Sequence, residues 1–228
     1  MKVVVSIGGS VLAPTVGSER VGTYAEVIEQ LAEEGHDLGI VVGGGPTARE
    51  YIKAARDLGA NEIALDNLGI AVTRLNARLL IAALGERATA TPQTDHESAL
   101  EALRRGDIPV MGGTVAGHTT DAVGTALAEY ADADLLVYAT SVPGVFDADP
   151  NEDETATKYD SLSASELVDV VSDIAIEAGS NAPVDLLATK LLERSGLPAV
   201  VIDGTDPEHL LSAIDGDHGG TDILPNDA

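Results

Sequence analysis

The chain has no cysteine and no tryptophan, a single phenylalanine, and only four lysines among its 228 residues. Without cysteine there is no disulfide framework, no thiolate metal site and no cysteine nucleophile. Aromatic residues make up 3%, so the core must be built from Val, Leu, Ile and Ala. That favours thin α/β layers over an aromatic-rich β-sandwich. No uninterrupted apolar run approaches the roughly 20 residues that a membrane helix needs. The opening MKVVVSIGGS is apolar but has no A-x-A-like cleavage site after it, and it reads as a strand rather than a signal peptide. The expectation is a cytoplasmic protein with no membrane partner.

Positive charge is the second scarcity. Lys plus Arg total 13 against 38 Asp plus Glu, a net charge of −25. The acids are scattered through periodic segments rather than gathered in one run. They read as a surface adapted to high salt, not as an acidic tail. Self-repulsion at this charge opposes the compact state, and molar salt shortens the screening length to about 3 Å and removes much of that cost. A polyanion would be repelled, so nucleic acid is not an expected partner.

What the chain does have is alternation. Residues 3–7, 38–42, 108–111, 135–139 and 199–202 are continuous apolar runs, the signature of parallel strands covered on both faces. Helical spacing lies between them. Tyr24, Val27, Ile28 and Leu31 share a face; residues 48–58 follow Pro46, a residue suited to a first turn; and residues 62–84 follow a cap at Asn61. Further helices are expected over 95–105, 121–131 and 185–194, with a last one starting at Pro207. Ser163-x-x-Glu166 is a capping box opening another, with Leu167, Val170 and Val171 on one face. Residues 143–162 read as irregular, and 215–228 as a polar tail or a short strand around Ile223. The pattern predicts one doubly wound α/β unit, with two lobes meeting near residue 130.

Three glycine loops follow three of these strands: Gly8-Gly9-Ser10, Gly43-Gly44-Gly45 and Gly112-Gly113-Thr114. In such sheets ligands bind beyond the carboxyl ends of the strands. Glycine lets backbone N–H groups approach an anion, and the helix behind adds a favourable dipole. One such loop is commonly a tight turn; three at equivalent places point to polyphosphate. GxxxxGK[ST] is absent, so this is no P-loop kinase, and no G-x-G-x-x-G opens a βαβ unit. Asp147-x-Asp149-x-Asn151-x-Asp153 fails as a calcium loop. Glu152 stands where the sharp turn needs glycine, Pro150 intrudes, and Lys158 replaces the bidentate Glu. No metal ligand is assigned.

Five segments carry a specific resemblance: GGSVL at 8–12, VVGGGPTAREYI at 41–52, LGIAVTRLNARLL at 68–80, PVMGGTVAGHTTDAV at 109–123 and TSVPGVFDADP at 140–150. In that order and spacing they resemble the archaeal-type uridylate kinases of the amino acid kinase superfamily, over nearly the whole chain. The resemblance implies a three-layer α/β/α sandwich with a mainly parallel central sheet. It also implies an acceptor-binding lobe over about 1–130 and an ATP-binding lobe over about 131–228. The implied activity is transfer of the ATP γ-phosphoryl to UMP, with Mg²⁺, in pyrimidine nucleotide biosynthesis, by a homohexamer.

By the same resemblance, Gly8, Gly9, Ser10, Gly45, Arg49, Thr140, Phe146 and Asp149 take the ATP positions. Gly44, Asp66, Thr114, Val115, Ala116, Gly117, His118, Thr119 and Thr120 take the UMP positions. Arg49 suits a transferring phosphate, because its planar fork pairs bidentately with phosphate oxygens. Phe146, the one Phe in the chain, is placed beside the adenine. Many superfamily members carry Lys two residues before the first glycine pair, where this chain has Ser6. Charge at the reacting phosphates is therefore expected from Arg49 and from Lys190, which matches a family lysine. Carbamate, N-acetylglutamate and isopentenyl phosphate remain alternative acceptors within the superfamily, and a non-catalytic nucleotide sensor is the alternative from another class.

Overall fold

Strands that are apolar on both faces need cover on both faces, and the helices supply it. The computed structural model describes residues 1–17, 19–148, 150, 153, 155–176 and 184–226. Seven strands form one sheet: β1 Lys2–Ile7, β2 Asp37–Val42, β3 Val110–Met111, β4 Leu135–Thr140, β5 Ser161–Ser163, β6 Ala199–Asp203 and β7 Thr221–Leu224. Their order is β3-β2-β1-β4-β6-β7-β5. All neighbours are parallel except β6 and β7. The helices are α1 Gly9–Leu12, α2 Glu19–Glu33, α3 Gly45–Asp57, α4 Glu62–Leu84, α5 His96–Arg105, α6 Thr120–Ala131, α7 Ala164–Ile176, α8 Leu186–Ser195 and α9 His209–Asp215.

Successive side chains of a strand point to opposite faces. Val3, Val5 and Ile7 of β1 enter one apolar cluster with Leu12, Tyr24, Ile28 and Leu80. Val4 enters the other, with Val41, Leu127, Tyr138 and Leu192. The result is the α/β/α sandwich. Each fully buried aliphatic side chain contributes about 2 kcal/mol, which explains how a core almost free of aromatics suffices. The two large exceptions are both tyrosines with satisfied hydroxyls. Tyr24 donates to the Gly204 carbonyl at 2.6 Å, and Tyr138 shares a 2.6 Å bond with Thr125.

Local chemistry sets the helix ends. Asn61 caps α4 by accepting from Ala64 N–H, and Asp95 caps α5 by accepting from Ser98 N–H. The capping box is real: Ser163 N–H donates to Glu166, and Glu166 N–H donates back to Ser163 Oγ. The structure corrects the sequence reading in places. The four-residue α1 is too short for any periodicity to reveal. β5 begins inside the stretch read as irregular and ends at Ser163 of the capping box, since three residues form a strand only because β7 is there to pair with it. The last helix starts at His209 rather than Pro207, whose carbonyl instead closes a turn with Leu210 N–H. Residues 62–87 prove long and apolar enough, by length and composition, to cross a membrane. Asp66, Arg74 and Arg78 interrupt that run in the sequence. Here the helix packs against α3, α2 and β2.

Candidate active site

Because β1, β2, β3, β4 and β6 run parallel, their carboxyl ends lie along one edge of the sheet. The strand order reverses at β1, with β2 on one side and β4 on the other. A crevice opens at such a reversal. Gly8 N–H donates to the Ala139 carbonyl of β4, and Gly43 N–H to the Ile7 carbonyl, both at 2.9 Å. Gly9 and Gly45 then meet backbone to backbone. A Cβ on Gly9 would lie 2.1 Å from Gly45 N, and one on Gly45, at φ +63°, would lie 2.4 Å from the Gly9 carbonyl oxygen. No side chain fits at either position. The amides of Gly9, Ser10, Gly45 and Thr47 sit in the first turns of α1 and α3, where no intrahelical acceptor exists. They form a cluster of donors suited to an anion.

Arg49 projects from α3 over these amides and donates to Ser10 Oγ at 3.2 Å. It lines a cleft of about 280 Å³ together with Gly44, Gly45, Asp66, Gly113, His118, Thr119 and Thr120. One wall of the cleft is α4. Asp66 accepts from Gly117 N–H at 2.8 Å, which ties the 114–120 loop to α4 at the cleft. Thr73 accepts from Gly113 N–H at 2.7 Å. Arg74 donates to the Gly113 carbonyl at 3.1 Å, and the buried Asn76 amide donates to the Gly43 carbonyl at 2.8 Å. Sequence reasoning assigned no role to Thr73, Arg74 or Asn76. The available signal was polar residues recurring on the core-facing side of a long apolar helix, where each needs a partner.

Beneath the loops lies a partly buried acid that the sequence reading also passed over. Asp121, in the first turn of α6, accepts from Ser6 Oγ at 2.9 Å. Burial pushes its carboxyl up to about 6; the Ser6 hydroxyl opposes the shift and the nearby Asp185 charge adds to it. Ser6 thus contributes a hydrogen bond where a superfamily lysine would contribute charge. Asp185 caps α8 and accepts from the Thr119 hydroxyl, joining the 114–120 loop to that helix.

The sign of the Asp121 effect on stability follows from linkage. Between its ordinary value of 3.8 and about 6, the folded state holds a proton that the unfolded chain has released. Stability is therefore lost as pH rises through this window. Asp121→Asn removes the titration, so relative to the parent it gains about 1 kcal/mol between pH 5 and 7. Urea unfolding of both proteins in molar KCl checks this; parallel stability curves over that range would refute it.

The remaining predicted residues fall in three places. Thr114, Val115, Ala116 and Gly117 form the loop between Gly113 and α6, with Val115 and His118 exposed. Thr140 ends β4, its hydroxyl donating to the Val142 carbonyl at 2.9 Å, and Phe146 is half-buried in the loop beyond. Asp149 lies outside the described residues. Lys190, on α8, is half-exposed and pairs with Glu193 at 3.1 Å; it does not line the cleft described above.

Residues 1–203 match the model of the amino acid kinase family. A uridylate kinase of Haloarcula marismortui is 65% identical over 226 residues, 99% of each chain. One from Methanocaldococcus jannaschii is 50% identical, over 98% of this chain and 99% of its own. The crystal structure of uridylate kinase from Archaeoglobus fulgidus superposes with a TM-score of 0.89 at 47% identity, covering 98% of this chain and all of that one.

Proposed function

Because the chain belongs to the amino acid kinase family, we propose that it transfers the γ-phosphoryl group of ATP to UMP, giving UDP and ADP. The observation that carries this reading is the convergence of the second and third glycine loops on one cleft, with the first packed backbone to backbone against the second. Arg49 spans the first and second through Ser10, and Asp66 ties the third to α4 through Gly117. The full-length likeness to uridylate kinases supports it.

Phosphoryl transfer asks the protein for positioning and charge neutralisation more than for covalent chemistry. The donor triphosphate lies over the amides of Gly9, Ser10 and Gly45, as a magnesium complex that enters with the nucleotide. The acceptor phosphate sits at Gly44, with the uracil and phosphate wrapped by residues 114–120. Asp66 holds the ribose hydroxyls with the oxygen that Gly117 leaves free. An oxygen of the UMP phosphate attacks the γ-phosphorus as the bond to the β-bridging oxygen breaks, and ADP leaves. That phosphate is largely ionised at neutral pH, its second pKa being about 6, so no side-chain base is needed. Arg49 and Lys190 neutralise the equatorial oxygens, while Thr140, Phe146 and Asp149 hold the donor ribose and adenine. In this reading residues 1–130 form the acceptor lobe and 131–228 the donor lobe. The enzyme works in the cytoplasm, in pyrimidine nucleotide biosynthesis, as a homohexamer. Exposed Leu79 on α4, grouped with exposed Val16 and with Ala82 and Ala83, supplies an apolar patch suited to contact with another copy.

The test is ADP release in high KCl with Mg-ATP against UMP, CMP, AMP, carbamate, N-acetylglutamate and isopentenyl phosphate. Turnover with UMP is expected, with little or none for the others. Turnover with a different acceptor would overturn the roles of Asp66 and residues 114–120. Nucleotide binding without any turnover would make the chain a sensor.

A further inference from the structure

The proposed donor loop is held from behind by the last strand. Thr221 opens β7 and is fully buried. Its hydroxyl accepts from Val145 N–H at 2.9 Å and donates to the Tyr159 carbonyl at 2.6 Å. Tyr159 N–H returns a bond to the Val145 carbonyl at 2.9 Å, and Phe146 pairs with Lys158 as an antiparallel bridge. The Lys158 ammonium donates to the carbonyls of Gly219 and Gly220, tying the same segment to the approach to β7. Gly144 lets the loop come this close. It has φ +143°, and a Cβ there would lie 2.5 Å from Thr221 Oγ1.

One hydroxyl therefore joins two chain segments on either side of Phe146, spending both its donor and its acceptor on backbone groups. Valine has the same shape and the same preference for a strand. In its place it would leave a buried N–H and a buried C=O without partners. The loop would then gain freedom just where Phe146 must be fixed in advance of binding.

We infer that Thr221 is a positioning residue for donor binding: its hydroxyl clasps the 144–147 loop to the last strand and so sets Phe146 against the adenine of ATP. This rests on the proposed assignment of that loop to the donor nucleotide. Thr221 and Lys158 lie behind the loop and touch neither the cleft nor the acceptor loop, so their effect is confined to the donor.

The experiment measures KM for ATP and for UMP in high KCl, with circular dichroism as a check on folding, for the parent, Thr221→Val, Thr221→Ser and Phe146→Ala. Thr221→Val raises KM for ATP by about tenfold, the worth of one typical hydrogen bond, and leaves KM for UMP within about twofold. Thr221→Ser keeps the hydroxyl and returns KM for ATP to within about threefold of the parent. A parental KM for ATP in Thr221→Val, with a raised one in Phe146→Ala, overturns the clasp and spares the loop assignment. An equal rise for both substrates also overturns it. An unchanged KM for ATP in Phe146→Ala removes the loop assignment and the clasp with it. If Thr221→Val does not fold, Lys158→Met decides: a rise confined to ATP supports the clasp, and parental constants overturn it.

Discussion

Arg49→Ala lowers kcat by about 10²–10³, the range seen when one fixed donor to developing charge is removed, and changes KM for UMP little. The guanidinium already sits beside the amides of two glycine loops, held by Ser10 at 3.2 Å. Little reorganisation is needed when the transferring phosphoryl passes beneath it. The acceptor nucleotide is gripped elsewhere, by Asp66 and the loop it ties to α4, so the loss falls on the chemical step rather than on UMP binding. Arg49→Lys recovers only part of it, because an ammonium is a point charge and lacks the planar fork that pairs with two oxygens. Single-turnover kinetics with saturating UMP separates the chemical step from product release. A near-parental rate in Arg49→Ala would rule out the assigned role.

The second large effect is unfolding on removal of salt. The net charge is −25, and the described residues offer little to offset it. Six Lys or Arg ion pairs with Asp or Glu are present, all at least partly exposed. Such pairs contribute about 0–1 kcal/mol each. The screening length is about 3 Å at 1 M and about 10 Å at 0.1 M, so dilution lets acids on neighbouring surface helices repel one another. We expect the helical circular dichroism signal to collapse as KCl falls below roughly molar, and to return when either KCl or NaCl is restored. An uncharged osmolyte should restore it less well than either salt. A full helical signal in salt-free buffer would show that the acids are tolerated without screening.

The two effects draw on different parts of the sequence, and they mark what was legible in it. The surface charge is a property of composition and needs no fold to be read. The parallel sheet was also legible, because strands buried on both faces must be apolar at nearly every position, as 38–42 is and as 3–7 is apart from Ser6. Capping chemistry at Asn61, Ser163 and Asp185 acts over three or four residues, so these boundaries could be read from neighbours alone. The glycine loops were legible too, because glycine is needed wherever backbone must approach backbone, as Gly9 and Gly45 do.

What the sequence could not show was which distant residues share a loop. Ser6 and Asp121 are 115 residues apart and meet because β1 lies beside the start of α6. Thr221 reaches Val145 across 76 residues because β7 pairs with β6 beside the end of β4. Thr73, Arg74 and Asn76 looked like interruptions in an apolar helix until two glycine loops were seen to rest on them. The layers, the charged surface and the glycine loops could be read from the chain alone, since each follows from local periodicity, composition or backbone freedom. Tertiary structure alone decided which polar side chains hold those loops in place, because a buried donor finds its acceptor through strand order, and strand order is settled by packing across the whole sheet.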